Sequence, residues 1–556
     1  MCLSAAAYGQ TLQPVAARLM GTRGQDDLQG VACDGEAIYV AGNTGEAQTN
    51  GPDGVKIVRF GQDAKSPRCG VGFVARLTID GKSVTHYAEI GAGTGIMTSV
   101  VATREAVYVS GYANEQLEPL IKDVPGLMRT YGLPRASETV TEGRSTGASK
   151  PGLHKHGAPF VLKLSKDLSR IEAGTYLEGW QQVWEKQRVI QTKPTWKSWP
   201  REYFWQPTTL NVTAGGDVVV THDGGYDREN TPEDLAAAKQ AKDPAKLLGR
   251  LRFYDVCDHV SRLSGDLSKR VWHQTIYAPE TNQQAAAQLR DGWPKGHYSN
   301  PRTHRTKLDA AGTVYLAGWS ASATSAEPYW TPYLWRLDGG TGRVVGKSYA
   351  YDPLAGEGNQ RMNGTVADTA ITALAVEPDG TVLAGLLSDG GNTVMGLSPK
   401  ADLKTRFEGP VTGGDYGGGL VHWWSQLHRL DATKNEGIAR TRIGRTAWLV
   451  EIVPLASKHV LAVGRCNGKF ETTKDALQVA GVDENPVAFV RVYDGEMKMV
   501  HSSQIRGVVP FEAVAISPTR VAIVGRAAAK SEPLLLDKQA GQQEDGYLLI
   551  VEIGKP

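Results

Sequence analysis

The chain has 556 residues, including 64 glycines and 28 prolines, and its 61 basic and 59 acidic side chains leave a formal net charge of +2. Balanced charge without a long basic run offers no electrostatic basis for binding nucleic acid or an anionic membrane surface. No apolar stretch approaches the roughly 20 residues that a membrane-spanning helix needs. The many glycines are typical of a chain rich in β-turns.

The first ten residues, MCLSAAAYGQ, are small and mostly apolar. They resemble the end of a secretory signal with its small-residue cleavage site, although the charged segment that normally precedes such a region is missing. A disordered tail is the alternative interpretation. We assign residues 1–10 to the remnant of a secretory signal and residues 11–556 to one folded domain.

A short pattern then occurs seven times: an apolar strand, a tight turn, and a second strand that ends near Tyr-Val-Ala-Gly. The copies are Val31 to Gly42, Val100 to Gly111, Asn211 to His222, Lys307 to Gly318, Ala375 to Gly385, Val453 to Gly464 and Val514 to Gly525. Most are followed by a second strand–turn–strand unit, for example GFVARLTIDGKSVTHYAEI, and VMGLSPKADLKTRFEG in the fifth repeat. Such alternation of apolar and polar residues indicates half-buried antiparallel strands. Two hairpins per repeat predict an all-β, seven-bladed propeller of four-stranded blades, whose strands we name A to D.

The last repeat contains only three strands before the chain ends, the third being GYLLIVEI. The segment PVAARLMGTRGQDDLQGVA, near the other terminus, resembles the D strand and lead-in of the other repeats. We therefore expect residues 15–22 to pair with the C-terminal strand and to close the ring, which removes the open sheet edges.

The long insertions all fall between strands B and C or between D and the next A. In a propeller these two positions lie on one rim, which we call the insertion rim, while the A–B and C–D turns form the short-turn rim. The B–C insertions are 43–68, 113–157, 223–249 and 467–484, and the D–A insertions are 177–206, 279–302 and 409–445. Long loops concentrated on one face of a rigid scaffold indicate a binding face.

Tryptophans are concentrated in these insertions. Five of them come from the 177–206 segment and two from other loops of the same rim: Trp180, Trp184, Trp196, Trp199, Trp205, Trp293 and Trp423. Aromatic faces with polar edges can stack on sugar rings or anchor a protein partner. The alternative is that they form small local cores beneath their own loops.

Alignment of the repeats on their glycine predicts which side chains line the central channel. The positions near the start of strand A are Gln29, Thr98, Thr209, Arg305, Thr372, Glu451 and Glu512. Glu451 and Glu512 come from neighbouring blades and Arg305 lies roughly opposite, a combination that suits acid/base chemistry on a glycosidic bond or a uronate. A water-filled channel without chemistry is the alternative.

The third repeat ends strand B with His222 and Asp223 where the others have glycine, and such exceptions often mark functional places. His304 lies on the same rim, and Arg465 and Arg526 follow the glycine in repeats six and seven. These residues are candidates for ligand binding. No spacing supports a metal site or a cofactor, and we expect no disulfide among Cys33, Cys69, Cys257 and Cys466.

The Gly-x-x-Tyr-Val-x-Gly hairpins, followed by Phe-Val-x-Arg/Lys-Leu strands and Asp-Gly turns, resemble the seven-bladed β-propeller repeat family of bacterial extracellular proteins. The resemblance implies a secreted, periplasmic or cell-surface protein of a bacterium, and it carries over no catalytic motif. We expect a binding or scaffold module whose insertion rim takes a glycan or a protein ligand. The alternatives are a carbohydrate-active enzyme, hydrolase or lyase, with its site at the top of the channel, and a subunit of a larger extracellular assembly.

Overall fold

The computed structural model contains a ring of β-sheets. It describes residues 11–21, 26–45, 51–60, 71–90, 95–113, 154–177, 181–184, 208–224, 257–276, 301–321, 330–349, 369–388, 411–412, 424–445, 447–466, 470–481, 486–528, 533–535 and 545–554. Within these residues no helix is long and apolar enough to cross a membrane.

Seven sheets follow one another along the chain, and each is one blade. Strand β1 (Leu12–Met20) comes first, and blade 1 then holds β2 (Asp27–Cys33), β3 (Ala37–Thr44), β4 (Ile57–Phe60), β5 (Val71–Thr78) and β6 (Val84–Ile90). Blade 2 holds β7 (Gly95–Ala102), β8 (Ala106–Ala113), β9 (His154–Ser165), β10 (Ile171–Tyr176) and β11 (Gln181–Trp184). Blade 3 holds β12 (Thr208–Val212), β13 (Val218–Gly224), β14 (Cys257–Leu263) and β15 (Arg270–Ile276).

The remaining four blades have the same plan. Blade 4 holds β16 (Pro301–Leu308), β17 (Val314–Ala321), β18 (Trp330–Leu337) and β19 (Val344–Ser348). Blade 5 holds β20 (Thr369–Val376), β21 (Val382–Ser388), β22 (Val411–Thr412), β23 (Trp424–Asp431) and β24 (Glu436–Arg445). Blade 6 holds β25 (Ala447–Pro454), β26 (Val460–Cys466), β27 (Val487–Tyr493) and β28 (Met499–Arg506). Blade 7 holds β29 (Val508–Ser517), β30 (Arg520–Ala527) and β31 (Asp545–Ile553), and it is completed by β1.

The predicted seven-bladed propeller and its closure are confirmed. Strand β1 pairs antiparallel with β31, from Leu12 opposite Ile553 to Met20 opposite Gly546. The strand begins three residues before the predicted 15–22 segment and ends two residues sooner. Arg18 also joins blade 7 to blade 1, because its guanidinium donates to the Asp53 carboxylate at 2.9 Å and to the Lys82 carbonyl at 2.8 Å. The N-terminal strand therefore closes the ring by main-chain and side-chain bonds.

Apolar side chains from neighbouring blades pack together and form the core. One cluster joins Tyr39 and Val74 of blade 1 to Val107 and Phe160 of blade 2. The clusters repeat around the ring because each sheet presents one apolar face to each neighbour. Burial between blades thus supplies the main stabilisation of the ring.

The recurrent glycine of strand B has a structural cause. In six blades strand A contains a β-bulge opposite this region, for example between Leu28 and Gly30. The bulge brings main-chain oxygens close: a Cβ on Gly42 would lie 2.0 Å from the Asp27 carbonyl oxygen, and one on Gly525 would lie 2.1 Å from that of Val509. Blade 3 pairs without a bulge. His222 can therefore stand there in place of glycine.

Blade 5 corrects one sequence prediction. Its third and fourth strands are β23 and β24, and β21 pairs directly with β23. The predicted hairpin at residues 394–409 is therefore not the C–D pair, and 409–445 is not a D–A insertion. The insertion of this blade lies between strands B and C, at residues 389–423. The error arose because both segments alternate in the same way, and only strand pairing distinguishes them.

Several insertions return to the outer edge of their own blade. Strand β4 pairs parallel with the outer strand β6, and β22 pairs parallel with the outer strand β24. Strand β11 pairs antiparallel with residues 154–157 of the third strand, β9, ahead of the part of β9 that pairs with β10. In blade 6 the segment 470–481 runs along β28, where the Gln504 amide donates to the Gln478 carbonyl. An occupied edge cannot pair with another chain, so these additions protect the protein from edge-to-edge association.

Candidate functional site

A polar cavity lies between the innermost strands of the ring. The centres of water-sized molecules can occupy about 50 Å³ of it, within about 510 Å³ of empty space that includes open solvent. Five blades supply the lining residues: Gln29, Thr98, Ser99, Thr208, Thr209, Leu210, Asn211, Arg305, Thr306, Lys307, Phe511 and Glu512. Hydroxyl, amide and charged groups outnumber the apolar side chains. The cavity therefore offers many hydrogen-bonding groups in a small space.

Five residues of the predicted channel ring line this cavity: Gln29, Thr98, Thr209, Arg305 and Glu512. The two others lie outside its lining because they are engaged between blades. The Thr372 hydroxyl donates to the Leu449 carbonyl at 2.5 Å, and Glu451 is ion-paired and 1% exposed.

The residues of the predicted channel ring occupy two different positions relative to the bulge of strand A. In blades 1, 2 and 5 the predicted residue is the bulged one itself, as at Thr98. In blades 4, 6 and 7 it is the residue after the bulge, and the bulged residues are His304, Val450 and Phe511. A bulge changes the face of the strand to which the following side chains point, although the sequence still shows regular alternation. Sequence alignment alone could not separate the two positions.

Two cations and two carboxyl groups meet beside the cavity. Arg305 reaches from blade 4 to blade 6, where its Nε lies 3.1 Å from Glu451 Oε2 and its Nη2 donates to the Val450 carbonyl. Lys307 Nζ lies 3.2 Å from the other oxygen of Glu451. Glu451 therefore binds both cations, and the Arg305 side chain spans the channel between blades 4 and 6.

Glu512 is the carboxyl group that remains at the cavity wall. Its Oε2 accepts a hydrogen bond from the Val31 amide at 2.9 Å, and the half-buried residue lines the cavity. Burial, and then the negative charge of Glu451, raise the pKa of Glu512 to about 7, although Lys307, the Val31 amide and Arg305 oppose the shift. Glu512 can therefore hold or release a proton near neutral pH.

The opposite wall carries uncharged polar groups from blades 2 and 3. Thr208 Oγ1 is bonded to the hydroxyls of Thr98 and of Ser110, and the Leu210 amide donates to Ser99 Oγ at 3.2 Å. These bonds fix the two inner strands together. The exception is Thr209, whose buried hydroxyl has no hydrogen-bond partner in the described structure. A buried hydroxyl at a cavity wall is normally satisfied by a water or a ligand.

Among the other predicted ligand-binding residues, those with described side chains, His222, Arg465 and Arg526, are not part of the cavity lining. Arg465 is fully buried in β26, with its guanidinium 6.0 Å from the Trp448 ring centroid, and Arg526 is buried in β30. Only the strand positions of Trp184, Asp223 and His304 are described. The remaining predicted tryptophans lie outside the described residues: Trp180, Trp196, Trp199, Trp205, Trp293 and Trp423.

The exceptional His222 belongs to a row of imidazoles across blade 3. Its ring stacks on His259 at 5.0 Å, and the His259 ring lies 5.3 Å from that of His273, with 3.1 Å between His259 Nδ1 and His273 Nε2. Burial, and then the nearby imidazoles, hold the pKa of His259 well below its usual range. Within the described part of the chain no group of three or more His, Cys, Asp or Glu side chains could hold a metal ion. The three imidazoles pack on one another within blade 3, and a hydrogen bond joins His259 to His273.

Blade 6 brings together an aspartate, a histidine and a serine that the sequence did not indicate. His501 Nδ1 lies 3.1 Å from Asp475 Oδ2, and its Nε2 lies 2.7 Å from Ser503 Oγ. This connectivity is that of a hydrolytic triad. However, Ser503 is 0% exposed, lies under the 470–481 segment and accepts a hydrogen bond from the Leu477 amide. The three residues consequently fasten that segment to the blade, and no substrate can reach the serine.

Sequence reasoning missed Lys307 and Asn211 in the cavity wall. Both could have been found, because each lies two residues beyond a predicted ring residue and side chains two apart share one face of a strand. Ser99 and Thr208 had no such signal, because each is the immediate neighbour of a predicted ring residue, and neighbouring side chains point to opposite faces of a regular strand.

Comparison with known proteins assigns no activity to the chain. No family model and no curated protein matches the sequence. A protein of unknown function from Dyadobacter fermentans is 10% identical, with a TM-score of 0.39 over 98% of this chain and 99% of that one. The quinohemoprotein alcohol dehydrogenase from Comamonas testosteroni is 10% identical, with a TM-score of 0.40 over 98% and 77%. The β-propeller domain of the Trilobed protease from Pyrococcus furiosus is 8% identical, with a TM-score of 0.35 over 93% and 95%. At these values the similarities carry no functional argument, and the fold assignment rests on the strand pairing itself.

Proposed function

We propose that this propeller is a binding module for a hydroxyl-rich ligand, a glycan, one group of which enters the channel cavity from the insertion rim. The observation that carries the proposal is the cavity wall, where hydroxyl, amide and charged side chains from five blades face one space. The proposal includes a location outside the cytoplasm of a bacterium, either secreted, periplasmic or at the cell surface, because the repeats resemble those of bacterial extracellular propellers.

A polyhydroxylated ligand suits this wall better than an apolar one. Hydroxyls both donate and accept hydrogen bonds, as do the amides of Gln29 and Asn211 and the unpartnered hydroxyl of Thr209. An apolar ligand would offer no partner to the Thr209 hydroxyl, and a buried polar group left unsatisfied costs about 1–3 kcal/mol.

A glycan array probed with the intact chain tests the proposal. We expect retention of a defined set of glycans, and Thr209→Val, which has nearly the same shape, should weaken that binding by about fivefold through the loss of one hydrogen bond. Isothermal titration with the retained glycan measures the change. Binding that is unchanged in Thr209→Val, or the absence of any retained glycan, would contradict a glycan site in the channel.

The face used for binding is a separate prediction. Charge reversals on the short-turn rim, at Glu36 (side chain 77% exposed) and Lys434 (68% exposed), should leave affinity unchanged, because neither side chain approaches the cavity. Titration of Glu36→Lys and Lys434→Glu against the same glycan checks this. Loss of binding with normal thermal unfolding would place the ligand on the opposite rim.

A carbohydrate-active enzyme is the second candidate, because the pKa of Glu512 lies near 7 at the cavity wall. A carboxyl group with such a pKa can act as a general acid on a glycosidic oxygen. Glu451, paired with Arg305 and Lys307, would position the cations and would not touch the substrate. Release of reducing sugar from the retained glycan, reduced roughly 100-fold by Glu512→Gln, would establish this activity. Wild-type release in that variant would exclude Glu512 as the acid.

A further inference from the structure

This inference rests on the proposed function and specifies the ligand. We propose that the group entering the cavity is a carboxylate, so that the site prefers acidic sugars such as uronates over their neutral counterparts, and that each bound carboxylate is accompanied by one proton on Glu512.

The first argument is the size of the enclosed space. The centres of water-sized molecules can occupy only about 50 Å³ of the cavity, and the inner strands of five blades line it. The enclosed part therefore accommodates a substituent of a sugar ring, while the ring itself stays towards the insertion rim. A carboxylate is a compact substituent with two acceptor oxygens, which the donors of this wall can bind.

The second argument is the balance of charge. Arg305 and Lys307 bring two positive charges, and the buried Glu451 neutralises one of them through contacts of 3.1 and 3.2 Å. With Glu512 protonated, the four groups sum to +1 and a single anion completes the balance. With Glu512 ionised, the four groups sum to zero, and the negative charge of Glu512 would repel an added carboxylate.

The third argument identifies the contacting cation. Lys307 lines the cavity, its side chain is 29% exposed, and only one of its three ammonium protons is needed for Glu451. Arg305 is 6% exposed and directed towards Glu451 and the Val450 carbonyl. Lys307 is therefore the charge that meets the ligand, and the Thr209 hydroxyl supplies a further donor at the same wall.

The proton follows from the surroundings of Glu512. The charged groups that act on it are Glu451 of β25 and Lys307 and Arg305 of β16, while β2 contributes the Val31 amide. A bound carboxylate adds negative charge beside Glu512 and so raises its pKa further in the complex. By linkage, binding is strongest below the free protein's pKa of about 7 and weakens as the pH rises through it.

Titration calorimetry with paired probes tests the inference. The acidic probes are glucuronate, galacturonate and mannuronate, and the neutral probes are glucose, galactose and mannose, each measured at pH 6 and pH 8. For the sugar that binds, we expect the uronate to bind more tightly than its neutral counterpart. The affinity for the uronate should fall roughly tenfold between pH 6 and pH 8, because binding requires the protonated form of one group with a pKa near 7. Glu512→Gln should remove this pH dependence while keeping the preference, and Glu36→Gln on the short-turn rim is the matched control.

The outcomes separate the two proposals. A neutral sugar that binds as tightly as its acidic counterpart, or a wild-type affinity that is equal at pH 6 and pH 8, overturns the carboxylate inference and leaves the glycan site standing. Retained pH dependence in Glu512→Gln overturns the assignment of the proton. Failure of all six probes, together with an empty glycan array, overturns the proposed function itself.

Discussion

Removal of residues 1–20 is expected to abolish cooperative thermal unfolding and to produce an aggregating protein. Strand β31 would lose its antiparallel partner from Gly546 to Ile553, and blade 1 would lose the Arg18 bonds to Asp53 and Lys82. An exposed, apolar strand edge of this length is a template for pairing with another chain. Differential scanning calorimetry with light scattering measures both effects.

Two point variants within β1 provide the control. Ala17 is 1% exposed and packs in the core between blades 6 and 7, whereas Gln13 is exposed on the same strand. Ala17→Asp should lower the free energy of unfolding by more than about 3 kcal/mol, because it buries an unpaired carboxylate. Gln13→Asp should change it by less than about 0.5 kcal/mol. A truncated chain that remains monomeric with an unchanged unfolding transition would show that the ring does not depend on this strand.

Glu451→Leu is expected to destabilise the protein by about 3–5 kcal/mol, since it leaves the buried Arg305 guanidinium without its carboxylate. Lys307 would lose the same partner. The two cations, which lie two residues apart on β16, would then repel each other without a carboxylate between them. Urea unfolding, with equal slopes for variant and wild type, measures the difference.

The double variant Arg305→Met with Glu451→Leu separates charge from packing. Replacing both members of a buried ion pair by apolar groups of similar volume is often neutral. We therefore expect the double variant to be more stable than Glu451→Leu alone, despite carrying one more substitution. If it is less stable, the pair acts through shape and hydrogen bonding, with its charge contributing little.

The sequence by itself determined the architecture. Seven copies of one hairpin pattern required a ring of similar sheets, and the missing strand of the last repeat required a partner from the N-terminal segment, which is β1. It also indicated that the insertions share one rim and that Arg305 and Glu512 face the channel. These features follow from alternation and repeat length, which are local properties of a chain.

Tertiary structure alone decided the details of the site. The hairpin of blade 5 lies at β23 and β24, because strand pairing, which depends on distant residues, selects between two segments with similar alternation. Likewise Glu451 and Glu512 occupy the same position after the bulge of strand A, and contacts from blade 4 separate them: Arg305 and Lys307 pair with Glu451, while Glu512 stays at the cavity wall. The raised pKa of Glu512 depends on burial and on charges contributed by other blades, and no local pattern in the sequence records those distances.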